Sequence, residues 1–353
     1  MKGARQSEQL GGRRLPPSLV FVGSTVLLLG VLTVGVSSGP VSVPFGDVWS
    51  AVGHRIGLPV AGPANPLVET LVWRHRLPHY LMAALVGATL AVAGVASQAL
   101  VRNPMGDPYI LGVSSGTAVG AVATILVLPG APFVLVAAVA FAAGILTMVV
   151  VIALSMRAGQ ISPLRLILGG IALGQLLAGF ISLGLLAIGQ AQATGVSNWL
   201  EGSVATTSLG RLWLVAILLP IGAVILYWDA GRLNALAFGD ETAASLGTNV
   251  TGLRLRLTVV TSLLTAAAVC LTGIIGFVGL VVPHVVRLLV GPDHRRLVPL
   301  VVPLGAAFLV VCDYLSRTLF GDEFTVPIGV VTGLFGGPLF LWLLRHQTLG
   351  GNV

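Results

Sequence analysis

Apolar residues in this chain do not alternate with polar ones. They run on for the length of a bilayer crossing, near residues 18–38, 78–100, 109–128, 131–155, 163–189, 209–228, 256–274, 276–290, 297–316 and 326–345. A backbone in hydrocarbon must satisfy its own hydrogen bonds, which leaves helices or closed barrels. A barrel needs period-two alternation, so the runs predict an all-α bundle of about ten transmembrane helices at roughly 20 residues per span. The eighth run is short and holds Pro283, so nine full spans and a half-helix is the alternative. Only 9% of the 353 residues are charged, against roughly 25% in a soluble domain. That excludes a water-soluble enzyme and makes the net charge of +7 a matter of topology rather than of nucleic-acid binding.

The basic residues predict the topology. With both termini cytoplasmic, Lys2, Arg5, Arg13, Arg14, Arg102, Arg157, Arg165, Arg232, Arg254, Arg256, Arg287, Arg295, Arg296 and Arg345 lie inside. Arg55, Arg74, Arg76, Arg211 and Arg317 lie outside, which accounts for all 19. The excess of inner arginines is the positive-inside pattern. The apolar run at 19–36 is too long for a cleaved signal peptide and reads as a first spanning helix. One domain, 1–353, is expected, with a cytoplasmic tail at 1–17 and a cytoplasmic loop at 229–255. Outer loops fall at 39–77 and 190–208, the second with a short interfacial helix anchored by Trp199.

Catalytic signatures are absent from the sequence. There is no G-x-x-x-x-G-K-[ST] and Lys2 is the sole lysine, so any ATP is hydrolysed on another polypeptide. No H-E-x-x-H or cysteine cluster marks a metal site; Cys270 and Cys312 sit apart in apolar runs and read as buried thiols. Small residues recur four apart at Gly112, Gly116 and Gly120, at Gly170 and Gly174, and at Gly329, Gly333 and Gly337, the spacing of close helix packing. Gly94 to Pro104 and Gly273 to Pro283 share a spacing that hints at an inverted repeat.

In the inner loop, Leu236, Gly239, Asp240, Glu241, Ala243, Leu246 and Gly247 outline a short helix. Carboxylates stand at its start, a glycine stands at its end, and Ala243 and Leu246 fall on one face. Read from these residues alone, it is either a surface helix or one that docks into a partner's groove. Asp313 is the one carboxylate well inside an apolar run and is placed to pair with Arg317 one turn on; a proton-coupling role for Asp313 is the rival.

Between residues 77 and 120 the chain carries Gln98, Asn103 and Asp107 at the edge of hydrocarbon, where polar groups are costly, and re-enters apolar sequence through Gly112-Val-Ser-Ser-Gly116. This stretch resembles the signature of membrane permeases in ABC importers for iron-siderophores, haem and vitamin B12. Further matching motifs follow in order: Trp199-Leu-Glu-Gly-Ser203, the 236–247 loop, Gly276-Phe-Val-Gly-Leu-Val-Val-Pro-His-Val-Val-Arg287, Gly291-Pro-Asp-His-Arg295, and Pro327-Ile-Gly-Val-Val-Thr332 leading to Gly337-Pro-Leu-Phe340.

The resemblance implies a vitamin-B12-importer-permease-like bundle in a bacterial cytoplasmic membrane, surrounded by lipid. It implies a second permease, identical or homologous, two ATPase subunits that hold ATP-Mg, and an extracytoplasmic binding protein that delivers an iron-siderophore. The permease itself would hold no cofactor. Leu236, Gly239, Asp240, Glu241, Ala243, Leu246 and Gly247 would form the coupling helix on the ATPase. Arg76 and Arg317, with Arg74 in support, would pair with acidic residues of the binding protein. His79 stands where the B12 importer has a second arginine, and Thr325 where the family usually has Glu, with Asp322 and Glu323 nearby. Gln98, Asn103, Ser114 and Ser115 are candidates for the translocation path or the dimer face. Haem or a corrinoid is the alternative cargo, and an ion-coupled secondary transporter the alternative class.

Overall fold

The computed structural model describes residues 15–39, 41–63, 65–187, 189–204, 208–319 and 326–347. Thr325, Glu323, Asp322 and the basic residues of the amino-terminal tail lie outside them. In chain order the helices are α1 (Pro17–Ser37), α2 (Phe45–Arg55), α3 (Pro66–Leu71), α4 (Leu77–Val101), α5 (Val113–Val127), α6 (Phe133–Ser155), α7 (Pro163–Leu186), α8 (Gln190–Leu200), α9 (Trp213–Trp228), α10 (Ala230–Ala237), α11 (Asp240–Ser245), α12 (Val250–Thr272), α13 (Val278–Val290), α14 (His294–Thr318) and α15 (Ile328–Gln347). All ten apolar runs are helical. The ends are set by ordinary signals: proline in the first turn of α1 and α7, where its missing N–H costs nothing, and Asn249 and Asp293 side chains capping α12 and α14.

Among the described residues six helices (α1, α4 with its leading turns, α6, α7, α12 and α14) are long and apolar enough to cross a bilayer alone; α9 and α10, bent 59° apart, make a seventh candidate. The 13 residues of α13 rise only about 20 Å, short of the roughly 30 Å hydrocarbon core. Pro283 does not break α13, which is a continuous short helix. Its short start is possible because Gly273–Gly276 dips back into the bundle, where the Tyr109 hydroxyl donates to Ile275 O (2.7 Å) and accepts from Ile275 N (3.1 Å). The repeat suggested by Gly94 to Pro104 and Gly273 to Pro283 does not hold residue by residue. Gly94 lies within α4 and Pro104 in a turn, whereas Gly273 caps α12 and Pro283 lies within α13.

The 39–77 connection is not plain coil: it carries α2 and α3, and α3 runs through a π-turn (Val72–Arg76) into α4. The 190–208 connection carries α8, whose Trp199 is half-buried against the core. A tight two-stranded hairpin, β1 (Met156–Arg157) with β2 (Gln160–Ile161), links α6 to α7. It turns on Ala158 and Gly159, both at positive φ, the conformation such hairpins require.

α4 is the central post, its most apolar stretch 83% buried, whereas that of α7 is 11% buried. α14, α12 and α13 pack around α4, and its crossings with α14 and α13 are glycine on glycine. A β-carbon on Gly87 would strike the Gly305 backbone, and one on Gly94 the Gly279 backbone. The recurring small residues serve such contacts too: Gly112 meets Gly170, Gly116 and Gly120 meet α6, and Gly329 meets the Glu201 carbonyl. Gly94→Leu is expected to force α4 and α13 apart, at a cost at or above the upper end of the ~1–3 kcal/mol of ordinary overpacking. Thermal unfolding in detergent should show a lowered midpoint; an unchanged one would contradict the crossing.

Candidate functional site

Two polar clusters sit at opposite ends of the bundle. One surrounds α10 and α11. Gly239, at φ +115°, turns the chain between them, and Gly247, at φ +80°, ends the second; only glycine adopts such angles freely. Phe238 is 81% exposed and Leu246 69% exposed, an apolar pair on either side of α11, with Glu241 exposed beside them. Ala243 is fully buried and Leu236 nearly so. The expected sharing of a face by Ala243 and Leu246 is therefore corrected: Ala243 is the foot of the helix and Leu246 points away. Phe238 was missed in sequence, where its only signal was an aromatic residue next to a glycine in a polar loop.

Asp240 faces the bundle. Arg254 Nη2 donates to both its oxygens at 2.7 Å, and Arg102 Nη1 lies 3.4 Å away. Arg254 Nη1 also donates to Ile161 O of β2 (3.1 Å). Arg102 holds a left-handed φ of 51° at the end of α4, a strain of order 1 kcal/mol for a non-glycine residue. Two further clamps hold α10. Asp229 accepts from Arg232 (2.5 Å) and Arg256 (2.9 Å). Asn234 donates to Asp293 (2.7 Å) and accepts from the His294 backbone (3.0 Å) at the start of α14. The Asn234 amide, foremost, holds the Asp293 carboxyl below the usual carboxylate range.

The other cluster lies where α1, α4 and α14 meet the α8 loop. Arg76 donates through Nη1 to Val36 O (2.7 Å) and Ser37 O (3.1 Å), and through Nη2 to Val41 O. It thereby satisfies carbonyls left open at the end of α1. Asp313 is 1% exposed. Its Oδ2 accepts from His79 Nε2 at 2.6 Å, and Arg317 Nε lies 3.7 Å away. His79 Nδ1 faces Val204 O at 3.0 Å and Arg317 Nη2 at 3.2 Å. The i,i+4 pair of Asp313 with Arg317 is present, with His79 as a closer third member. Arg74 is exposed on the π-turn.

Of the polar residues between α4 and α5, Gln98 is buried. It donates to Gly279 O (3.3 Å) and Leu280 O (3.2 Å) and accepts from Arg287 (2.9 Å), so it ties α4 to α13. Asn103 is exposed and closes a turn onto Met105 N (2.9 Å). Ser114 is buried and Ser115 sits beside Gly174 of α7. On α7 itself, Gln175, Gly179 and Ser182 form an exposed polar and small stripe among Leu168, Leu176 and Leu183. A glutamine facing lipid there would be costly, which sets this stripe apart from the leucines around it. In sequence only Gln175 inside an apolar run could have signalled it.

The model of the FecCD transport family matches residues 26–346. The chain is 37% identical over 335 residues to the uncharacterized ABC transporter permease protein YvrB of Bacillus subtilis, covering 94% of each chain. It is 35% identical to the hemin transport system permease protein HmuU of Yersinia pestis, covering 95% of this chain and 97% of that one. Among solved structures, an inward-facing metal-chelate type ABC transporter shares the fold with a TM-score of 0.81 and 30% identity, over 94% of this chain and all of the other.

Proposed function

The chain belongs to the FecCD transport family as the permease subunit of an ABC importer, and from that premise we propose that its cargo is an iron-siderophore complex. It is a multi-pass membrane protein and not an enzyme; ATP is hydrolysed on separate ATPase subunits. The observation that carries the cargo reading is the likeness, along 94% of the chain, to a transporter of the metal-chelate type.

In this reading the α11 end is cytoplasmic, because it gathers most of the arginines, and both termini lie on that side. Phe238 and Leu246 seat in a groove of the ATPase, with Glu241 at the rim. The sparsely buried α7 and the exposed Leu334 and Phe335 of α15 face a second permease. The Gln175–Gly179–Ser182 stripe, with Ser115 behind it, lines the path between the two. At the outer end Arg74 is the freest of the three arginines to meet acidic residues of a binding protein. Arg317, 37% exposed along its side chain, is the second contact and Arg76 chiefly braces α1. Such pairs contribute little individually but steer docking together.

The likeness to the hemin permease keeps haem as a second reading, with a corrinoid behind it. Accumulation of iron-55 siderophores in proteoliposomes holding the whole complex tests the cargo, with hemin and cobalamin as competitors. Ferric-siderophore accumulation unaffected by either competitor is expected. Accumulation of hemin or cobalamin alone would overturn the cargo while leaving the importer class intact.

A further inference from the structure

A buried arginine near the positive end of a helix needs a reason. Arg254 lies one turn into α12, is 7% exposed, and its Nε has no hydrogen-bond partner among the described residues. Both burial and the helix dipole disfavour a cation there. What it gains is two acceptors from two different elements: the Asp240 carboxylate at the head of α11 (2.7 Å) and the Ile161 carbonyl of β2 (3.1 Å). β2 leads through Ser162 directly into α7, the helix with the sparsely buried face. The clamps at Asp229 and Asn234 reach α12 and α14. Among the described residues only the Asp240 clamp joins the α10–α11 elbow to α7, and Arg102 extends it to the end of α4.

We infer that Arg254 is a positioning residue that makes α11, the start of α12 and the hairpin before α7 one moving body. A displacement of α11 by the ATPase then reaches α7 without loss. This rests on the reading of α11 as the ATPase contact, and it assigns Asp240 an inward role, leaving contact with the ATPase to Phe238, Leu246 and Glu241. The guanidinium is suited to the task because its planar fork holds two acceptors at fixed angles, whereas the three donors of an ammonium rotate freely on a flexible stem.

The complete complex tests this in two ways. Arg254→Gln is expected to keep its ATPases bound yet import about tenfold less cargo per ATP hydrolysed, or lower still, as the loss of a coupling free energy predicts. Arg254→Lys should fall between. Cargo imported per ATP equal to wild type in Arg254→Gln would overturn the inference. Loss of the ATPases from Phe238 and Leu246 variants is a separate outcome that tests only the underlying reading. A second measurement does not depend on the variant folding. Spin labels on Ser245→Cys and Arg157→Cys, in complexes that retain their ATPases, should report one narrow distance with and without ATP, because both native cysteines are buried and the two sites move together. A distance that changes with nucleotide in the otherwise wild-type chain would overturn it as well.

Discussion

A permease with aspartate at both Phe238 and Leu246 is expected to fold and insert normally and to lose its ATPase subunits. Both side chains stand in water in the isolated subunit, 81% and 69% exposed, so the fold does not depend on them. Burying each against a partner contributes about 1.5–3 kcal/mol. Losing both therefore weakens association by several kcal/mol, each ~1.4 kcal/mol being tenfold. The aspartates weaken it further, since a carboxylate in an apolar groove lacks a partner. Co-purification should fall from stoichiometric to trace, and ATP-driven uptake with it. Glu241→Ala should change little, as exposed charge pairs do. A double aspartate variant that still copurifies with its ATPases would show that α11 is not the contact.

Asp313→Ala is expected to give the largest loss of stability of any single substitution in the His79–Asp313–Arg317 cluster. Asp313 is almost fully buried, and its removal leaves His79 and the Arg317 guanidinium without their carboxylate. Leaving buried donors without the acceptor they hydrogen-bond costs about 1–3 kcal/mol, more where a charge is involved. The midpoint of thermal unfolding in detergent should drop by several degrees. Replacing both members by apolar residues, His79→Phe with Asp313→Leu, should recover much of the loss, because no buried charge is stranded there and Arg317 reaches water. A midpoint equal to wild type in Asp313→Ala would contradict the cluster. The same site separates the two transporter classes: a structural Asp313 leaves the residual uptake of Asp313→Asn dependent on ATP, whereas a proton-carrying Asp313 would make wild-type uptake depend on an ion gradient.

The spanning helices were legible because a bilayer imposes one rule on every residue of a long run: continuous apolarity means helix. Short α2 and α3 obey no such rule and were hidden in a stretch read only as the 39–77 loop. Helix α13 was legible as short but not as whole, since its start inside the bundle depends on Tyr109, whose contact with Ile275 spans the chain. Side-chain roles fared similarly. Arg76 and Gln98 looked like surface or path residues, and each spends its donors on a neighbouring helix's carbonyls, a fact of tertiary packing that no local pattern carries. Ala243 was placed on the right helix but wrongly on the same face as Leu246. The direction of that helix follows from Arg254 and Arg102, which belong to other elements. The Asp313–Arg317 pair was readable because both lie on one helix, and His79 was not because it lies on another.

The most direct test is initial uptake of a ferric siderophore into proteoliposomes containing this permease, its ATPases and its binding protein. A second permease chain is included if one copurifies. One set encloses Mg-ATP without an ion gradient, and the other has an imposed proton gradient without ATP. Uptake that needs both enclosed ATP and the binding protein is the predicted result. Uptake driven by the gradient alone, with no need for ATP, would contradict a chain that works as the permease of an ATP-driven importer.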